Sequence, residues 1–406
     1  IFIIIELESK ITKKKKILFF SGNRAEYSLI LPVVKELEQY RDINCSMILS
    51  GNHLEKKFGE TINEVLADNI KNIIKLDISN NYKQPANMAI SISIVIKKLT
   101  GVIQKIKPDI LVVYGDRFET LGATVAGHEN NIIVAHIEGG DITHGGTHDD
   151  NIRHAITKLS HLHFTTNIFS YRRVVALGEQ RWRVKLAGFT AIDLIKRKDF
   201  TCNNKIISKY NLAKDKPLLL LTMHPLSFSL RDTKKEIDAT LNGIQKLFKV
   251  FKVDCIITYP NNDAGSQYII KKIKNFKSNN KNIFLTKSLG RKDYWGVMNL
   301  IKSKFKVICI GNSSSGIKES AAFSCPTINV GNRQKGRVAP KNIIHCPADS
   351  KIIFNKITKI LKNDDFYKKC KKINNPYGKG NAGKKIASYL ANLKIDQSII
   401  IKKTHI

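Results

Sequence analysis

Short apolar runs, each followed by a segment with helical periodicity, occur in two blocks and constrain the fold more than any other feature of this chain. The first block contains KILFFSG (16–22), NCSMILSG (44–51), DILVVYGD (109–116) and IIVAHIEGG (132–140). The second contains PLLLLTMH (217–224), DCIITYPN (254–261), KVICIGNSSSG (306–316) and CPTINVGN (325–332). Strand, loop and helix repeated in this way predict α/β architecture with parallel sheets and helices on both faces.

A polar segment with few strand signals, residues 196–216, separates the two blocks. We therefore predict two Rossmann-like domains facing a cleft, over residues 14–195 and 215–375, in a chain long enough for more than one core. Near the carboxyl end, Ile386, Tyr389, Leu390 and Leu393 have the i, i+3, i+4, i+7 spacing of an amphipathic helix. This spacing predicts a crossover helix within residues 376–395 that packs back on the body.

The charge is strongly basic, with 68 Lys and Arg against 34 Asp and Glu and a net charge of +34. Such a surface concentrates anions, including nucleic acid, anionic lipid and phosphorylated metabolites. The lysines are scattered among Ile and Asn, however, and do not alternate with the aromatic side chains on which bases would stack. We interpret them as a solvated basic surface and expect neither a nucleic-acid partner nor a membrane partner.

Cysteine usage and the opening segment bear on the cellular compartment. The seven cysteines are odd in number and include no C-x-x-C pair, which is typical of reduced thiols. The opening run IFIII is far shorter than the ~20 apolar residues of a membrane-spanning helix. These observations favour a soluble cytoplasmic protein.

Polar side chains directly follow the apolar runs in both blocks. Ligands of open parallel sheets bind beyond the carboxyl ends of the strands, and two facing domains would enclose such a ligand. The side chains at this position are those of Arg24, Asp116, Glu138, His224, Asn261 and Ser313–Ser315.

The segment ICIGNSSSGIKES (308–320) reads as a strand, a turn of small residues and a helix start. Backbone N–H groups and hydroxyls at such a turn bind anions, which favours a diphosphate site. Glu319 is placed for a pair of ribose hydroxyls, and Arg333, with Lys335 and Arg337 nearby, for phosphate. The alternative is an ordinary helix start with a Ser cap and an acidic first turn.

Two other segments resemble nucleotide-binding loops only in part. FFSGNRAEYSLI (19–30) places Arg24 at a helix start but lacks the G-x-G-x-x-G pattern. GKGNAGKK (378–385) contains that pattern, yet it follows no strand, and Lys385 replaces the Ser or Thr of a P-loop. We therefore expect no dinucleotide and no other cofactor.

Residues 135–158 contain four carboxylates and four histidines in 24 positions. Glu138 ends a strand, and Asp149 and Asp150 open a helix with a predicted buried face of Ile152, Ala155, Ile156 and Leu159. Neighbouring carboxyl groups push one another's pKa values apart, so that one serves as an acid and another as a base. Together with Asp116, they suit proton transfer at an unactivated carbon.

Each carboxylate also has a simpler interpretation. Asp116 can be a helix cap, and Asp149 and Asp150 can stabilise a helix dipole by ~0.3–1 kcal/mol each. A metal site would use His136, His144 and His148, but no H-x-x-x-H or H-E-x-x-H pattern is present. We expect no metal.

The motifs SGNRAEY, GDRFE, HIEGGD…DDNIRHAITK, MHP, NNDAGS and GNSSSGIKE…INVGNRQKGR occur in this order over residues 15–395. In these motifs the chain resembles the hydrolysing UDP-N-acetylglucosamine 2-epimerases, including the bacterial enzymes of sialic-acid biosynthesis and the epimerase half of the animal bifunctional enzyme. The resemblance implies the glycosyltransferase-B-like fold and conversion of UDP-GlcNAc and water to free ManNAc and UDP. The implied course is anti elimination of UDP to a glycal, followed by addition of water.

The resemblance also implies roles for individual residues. The acid/base carboxylates would be Asp116, Glu138 and Asp149, or Asp150 beside it, and His224 would stabilise the departing diphosphate. UDP would be surrounded by Arg24, Arg117, His224, Asn261, Ser313, Ser314, Glu319 and Arg333. A homo-oligomer, dimer or tetramer, is expected.

Three alternatives remain open at this point. A non-hydrolysing 2-epimerase is disfavoured, because those relatives have Pro-Glu-Glu in place of Asp149-Asp150 and Gly-His-Arg in place of the MHP motif. A glycosyltransferase of the same fold would not need the clustered carboxylates, and only the net charge favours a nucleic-acid binder. Within the hydrolysing branch, UDP-GlcNAc and the UDP-diacetamido-trideoxy sugars that lead to legionaminic acid are not separated by sequence.

Overall fold

The computed structural model describes residues 14–54, 65–66, 68–78, 85–143, 149–226, 229–261 and 265–403. Its strands form two sheets in which every neighbouring pair is parallel. The strands of the first sheet are β1 (Lys15–Ser21), β2 (Ile43–Ser50), β3 (Ile73–Leu76), β4 (Ile110–Tyr114), β5 (Ile133–Ile137), β6 (Leu162–Thr165) and β7 (Val184–Leu186). Those of the second are β8 (Leu218–Thr222), β9 (Asp254–Thr258), β10 (Ile283–Thr286), β11 (Val307–Gly311), β12 (Thr327–Val330) and β13 (Ile343–Cys346).

The two sheets share one strand order, except that the first has an additional edge strand, β7. The first runs β3-β2-β1-β4-β5-β6-β7 and the second β10-β9-β8-β11-β12-β13. Both are doubly wound, and the order reverses between β1 and β4 in one sheet and between β8 and β11 in the other. A crevice opens at such a reversal, beyond the carboxyl ends of the strands.

Helices cover both sheets and follow the strands in alternation. Those of the first half are α1 (Arg24–Leu37), α2 (Pro85–Ile106), α3 (Phe118–Glu129), α4 (Asp149–Leu159), α5 (Ile168–Ala176), α6 (Ala191–Lys196) and α7 (Asn203–Tyr210). The rest are α8 (Leu230–Phe248), α9 (Ser266–Ser278), α10 (Gly290–Asn299), α11 (Ser314–Lys318), α12 (Ser350–Lys362), α13 (Asp364–Lys371), α14 (Ala382–Asn392) and α15 (Gln397–Ile400). Within the described ranges, none of them is both long and apolar enough to cross a membrane.

The central strands are buried along their whole length because helices cover both of their sides. Every residue of β4, β5, β8 and β11 is buried. A continuous apolar run, rather than an alternating one, is typical of parallel sheets. The predicted α/β fold with two Rossmann-like domains is confirmed.

The chain crosses back to the first sheet after the second is complete. Ile386 and Leu390 of α14 are fully buried in the same core as Phe19 and Phe164. Arg183 donates to the carbonyls of Ser398 (3.0 Å) and Ile401 (3.0 Å), and so holds the last helix against the first domain. The packing predicted for the carboxyl-terminal helix is thus observed.

The glycine-rich segment before α14 has a structural role. The backbone N–H groups of Ala382 and Gly383, at the start of α14, donate to the carboxylate of Asp193 at 3.0 and 2.7 Å. A helix N-terminus attracts an anion, and here a side chain of the first domain supplies it.

The domain boundaries predicted from sequence (14–195, 215–375 and 376–395) stay a prediction. In the structure, β7 ends at Leu186 and β8 begins at Leu218.

Candidate active site

A cavity of about 860 Å³ lies between the carboxyl edges of the two sheets. Ten of the residues predicted for the site line it, namely Asp116, Arg117, Glu138, Asp149, His224, Asn261, Ser313, Ser314, Glu319 and Arg333. In the described part of the chain, the cavity wall does not include Asp150. Arg24 begins α1 directly after the capping residue Asn23, and its side chain lies outside the described part of the structure.

Glu138 follows β5 and is held from both walls of the cleft. It is a non-glycine residue with φ = +72°, a backbone conformation that costs energy and is concentrated at functional sites. Its Oε2 accepts a hydrogen bond from the hydroxyl of Tyr114, and its Oε1 accepts one from the ammonium of Lys318. Its carboxylate is therefore oriented by one group of its own sheet and one of the other.

Asp116 follows β4 and pairs with a buried arginine. The residue that caps α3 is Arg117, so the alternative of Asp116 as the helix cap is not observed. The guanidinium of Arg153, with 1% of its side chain exposed, contacts Asp116 through Nη2 and Asp150 through Nη1, the latter at 2.6 Å. Arg153 thus fixes the relative position of two neighbouring acidic residues.

The two acidic residues that open α4 have different surroundings. Asp150 accepts hydrogen bonds from the N–H (2.8 Å) and the hydroxyl (2.9 Å) of Thr143, besides its ion pair with Arg153. Asp149 lines the cavity instead. Asp149 therefore faces the ligand space, and Asp150 anchors the helix to the preceding loop.

The predicted buried face of α4 is wrong at one position. Ala155 is exposed, whereas Arg153 and Thr157 are buried together with Ile156. An arginine is buried at low cost only when its charge is paired, and here Asp116 and Asp150 supply the pairing. The apolar pattern alone could not reveal this, because one of the partners, Asp116, lies in the turn after β4, far from Arg153 in the sequence.

Asp141 and Lys318 form a buried ion pair between the two walls of the cleft, with Nζ and Oδ2 2.9 Å apart. The side chains are 4% and 3% exposed. Burial would raise the pKa of Asp141, but the charges of Lys318 and Arg337 outweigh it and lower that pKa to about 2. Both residues lie inside motifs quoted above, but no role was predicted for either of them. The sequence signal for Lys318 is a charged residue one turn after the serine turn.

The serine turn lies at the reversal point of the second sheet. Ser313 is the residue before α11, and within the described ranges no side-chain hydrogen bond caps this helix, so the cap interpretation is not observed. At Gly311 (φ = +130°) any side chain would overlap the backbone of Thr222 on the neighbouring strand. The turn thus approaches β8 closely and leaves the hydroxyls of Ser313 and Ser314 at the cavity wall.

Glu319 lines the cavity one turn further on. Its Oε2 accepts a hydrogen bond from the indole N–H of Trp295 at 2.6 Å. Burial raises the pKa of Glu319, although that hydrogen bond and one from Ser315 oppose the shift. The fixed carboxylate is suited to accept hydrogen bonds from a diol.

His224 follows β8 and is neutral in this environment. Its Nδ1 lies 3.0 Å from Oδ1 and 3.1 Å from the backbone nitrogen of Asn261, and these contacts orient the ring. Burial lowers the pKa of His224 to about 3, and the nearby Arg333 adds to the shift. His224 is therefore uncharged at neutral pH.

A buried network supports the loop that carries Arg333. Asn312 donates to Glu236 (3.0 Å), and its backbone carbonyl accepts hydrogen bonds from Arg333 (3.1 Å) and Gln334 (2.9 Å). Asn312 is also the residue before the serine turn. It therefore orients both the serine turn and the loop of Arg333.

Histidines of the first sheet serve the fold rather than a metal. Nε2 of His136 is 2.8 Å from the carbonyl of Gly115 and can only donate to it. Burial lowers the pKa of His136 to about 3. Among the described residues no group of three or more His, Cys, Asp or Glu could hold a metal, and His144 and His148 lie outside the described ranges.

Comparison with known proteins identifies the family of the chain. The family model described as UDP-N-acetylglucosamine 2-epimerase matches residues 35–391. The chain belongs to this family. Residues 35–391 include all of the described cavity-lining residues from Tyr114 onward, and so both walls of the cleft.

Two curated relatives place the chain beside hydrolysing members of the epimerase family. A GDP/UDP-N,N'-diacetylbacillosamine 2-epimerase (hydrolyzing) from Campylobacter jejuni is 34% identical over 82% of this chain and 84% of its own length. A UDP-N,N'-diacetylbacillosamine 2-epimerase (hydrolyzing) from Legionella pneumophila is 30% identical over 96% of this chain and 98% of its own length. The resemblance to this family that the motifs indicated is confirmed.

A solved structure shows the same fold. The UDP-GlcNAc 2-epimerase from Neisseria meningitidis bound to UDP-GlcNAc has a TM-score of 0.78 and 22% identity, over 92% of this chain and 99% of that one. As a member of the UDP-N-acetylglucosamine 2-epimerase family, the protein is an epimerase of UDP-sugars.

Proposed function

We propose that the protein is a hydrolysing 2-epimerase that converts a UDP-2-acetamido sugar and water to the free 2-epimeric sugar and UDP. The observation that carries the proposal is the two-sided cleft. Asp116, Glu138 and Asp149 lie on one wall, and the serine turn and Arg333 lie on the other. One wall supplies groups for proton transfer, and the other supplies donors for a diphosphate.

The first step of the proposed reaction is elimination. A carboxylate of the first wall removes the proton on carbon 2 while the bond from carbon 1 to the diphosphate oxygen breaks, giving a glycal and UDP. Carbon 2 carries no carbonyl that would acidify its hydrogen, so charge on the leaving diphosphate must be stabilised early. We assign the stabilisation of that charge to the hydroxyls of Ser313 and Ser314, to Arg333 and to the imidazole of His224, all of which line the cavity.

The second step adds water to the glycal. The hydroxyl goes to carbon 1 and a proton goes to carbon 2 on the face opposite to the one that lost it, which inverts that centre. Two carboxyl groups on different sides of the sugar are needed, one as base and one as acid. Asp116 and Glu138 follow two different strands and Asp149 opens α4, so this part of the cavity offers more than one candidate for each role.

The substrate is proposed at the level of class. Curated relatives are named for N,N'-diacetylbacillosamine and for N-acetylglucosamine, so UDP-GlcNAc and its UDP-diacetamido-trideoxy analogue both belong in a test. As further parts of the proposal, which rest on the family resemblance, the enzyme works without a cofactor, in the cytoplasm, as a dimer or tetramer.

Product analysis in heavy water tests the proposal. The pure protein is incubated with each UDP-sugar in D₂O and followed by proton NMR. Release of UDP together with a free 2-epimeric sugar carrying deuterium at carbon 2 is the expected result. The intact 2-epimeric UDP-sugar as sole product would indicate a non-hydrolysing epimerase, and a UDP-sugar unchanged in the whole panel would contradict the proposal.

A further inference from the structure

Lys318 joins the two walls of the cleft at the point where the proposed chemistry takes place. Its ammonium donates to Glu138 and to Asp141 (2.9 Å), residues 180 and 177 positions away in the sequence. Its side chain is 3% exposed, and the ammonium lies 4.3 Å from the centre of the Phe189 ring. A buried lysine at such a place requires carboxylate partners, and both of them belong to the first domain.

Helix α11 links this ion pair to the anion-binding wall. The helix spans only Ser314–Lys318, so the serine turn stands at one end and the lysine at the other, about 6 Å along the axis. A backbone of five residues therefore joins the serine turn directly to Lys318. A shift of the serine turn on nucleotide binding would therefore be transmitted to Glu138 through Lys318.

Asp141 is the immobile partner of Lys318 in the first domain. Its Oδ1 accepts hydrogen bonds from the hydroxyls of Thr166 (2.8 Å) and Ser170 (2.5 Å), and its Oδ2 faces Lys318. Arg337, with its side chain 10% exposed, lies 3.8 Å from the same Oδ2. The carboxylate is thus immobilised by its own domain and presents one oxygen to two cations of the other domain.

We propose that Lys318 is a positioning residue that sets the orientation of Glu138 for proton transfer when the second domain holds the nucleotide. This inference rests on the proposed function. It adds that Lys318 is the residue through which nucleotide binding by the second domain controls the carboxylate of Glu138. Tyr114 holds the other oxygen of Glu138, so that loss of Lys318 leaves the carboxylate tied at one oxygen and free to rotate.

Kinetics of Lys318→Met test the positioning role. Turnover should fall about 100-fold, the typical effect of a displacement of about 1 Å in a reacting group. The affinity for UDP, measured by calorimetry, should stay within about threefold, because Glu138 rather than the nucleotide depends on the lysine. Lys318→Arg keeps the charge and should recover at least about tenfold of the lost rate.

Two further variants control the experiment. Lys306→Met removes a lysine that pairs with the exposed Asp364 and should leave turnover and UDP affinity unchanged. In Lys318→Met the buried carboxylate of Asp141 loses the ammonium it pairs with, and this loss can unfold the protein. In that case the double variant Lys318→Met/Asp141→Asn, which removes both charges of the pair, replaces the single variant. The double variant should fold, bind UDP and turn over as slowly as predicted for the single one.

The possible results distinguish the positioning role of Lys318 from the proposed function of the enzyme. Wild-type protein that releases UDP while Lys318→Met keeps its full rate would overturn the role of Lys318 and leave the proposed function intact. A loss of UDP affinity as large as the loss of turnover would also overturn it, since the lysine would then act on the nucleotide. Wild-type protein inactive on the whole UDP-sugar panel would contradict the proposed function and this role together.

Discussion

Glu26 shows how a single residue at the cleft wall responds to burial. It is 6% exposed, and its Oε2 accepts the backbone N–H of Gly22 at 2.8 Å. Burial raises its pKa to about 7; the nearby Arg117 opposes the shift, and Glu119 adds to it. The folded protein therefore binds the proton of Glu26 more tightly than the unfolded chain does.

This difference predicts a pH-dependent stability. The contribution of Glu26 to stability is fully present below about pH 4.5 and is lost as the pH rises through about 7. Compared with Glu26→Gln, the wild type should lose about 3 kcal/mol of unfolding free energy between pH 4.5 and pH 8, as measured by urea denaturation. The exposed Glu129→Gln is the control, and a wild-type-to-Gln difference that is constant with pH would contradict the assignment.

Among the secondary-structure elements, α4 begins with two adjacent acidic residues that have different roles. Asp149 faces the cavity, whereas Asp150 bonds Thr143 and the buried Arg153. Asp149→Asn should lower turnover strongly while the free energy of unfolding changes by less than about 0.5 kcal/mol. Asp150→Asn should lower the free energy of unfolding by about 2 kcal/mol because Arg153 loses one of its partners.

Steady-state assays and thermal denaturation of both variants check this contrast. Equal losses of turnover at unchanged stability would mean that both residues face the substrate. Loss of stability in Asp149→Asn alone would reverse the two assignments.

Much of the site was predictable because of how parallel sheets are built. Asp116, Glu138, His224 and Ser313 each follow an apolar run, and the carboxyl ends of parallel strands share one edge. The contacts that hold these side chains were not predictable in the same way. Arg153 is buried against an aspartate of another strand, and Lys318 against a glutamate of the other domain, so both pairings depend on tertiary structure.

At the scale of the whole molecule, the last part of the chain belongs to the first domain's core. Leu390 of α14 is fully buried there, and Lys15 of β1 donates to the carbonyls of Leu390 (3.0 Å) and Leu393 (2.9 Å). The returning segment thus forms a second covalent connection between the two domains.

Leu390→Ala tests this packing. Truncation of a fully buried leucine should lower the free energy of unfolding by about 3 kcal/mol. Lys394→Ala, at an exposed position of the same segment, should change it by less than about 0.5 kcal/mol. Equal stability of the two variants in urea would show that α14 is not part of the core.

In the proposed reaction, carboxylates of one domain act on a sugar whose nucleotide the other domain holds. The most direct measurement is proton NMR of the Glu138→Gln protein with its UDP-sugar in heavy water, in which saturation transfer to the uracil protons reports binding and deuterium at carbon 2 reports chemistry. We expect saturation transfer equal to that of the wild type, and no deuterated sugar over the time in which the wild type completes the reaction. Deuteration at the wild-type rate, or loss of saturation transfer, would contradict the proposal.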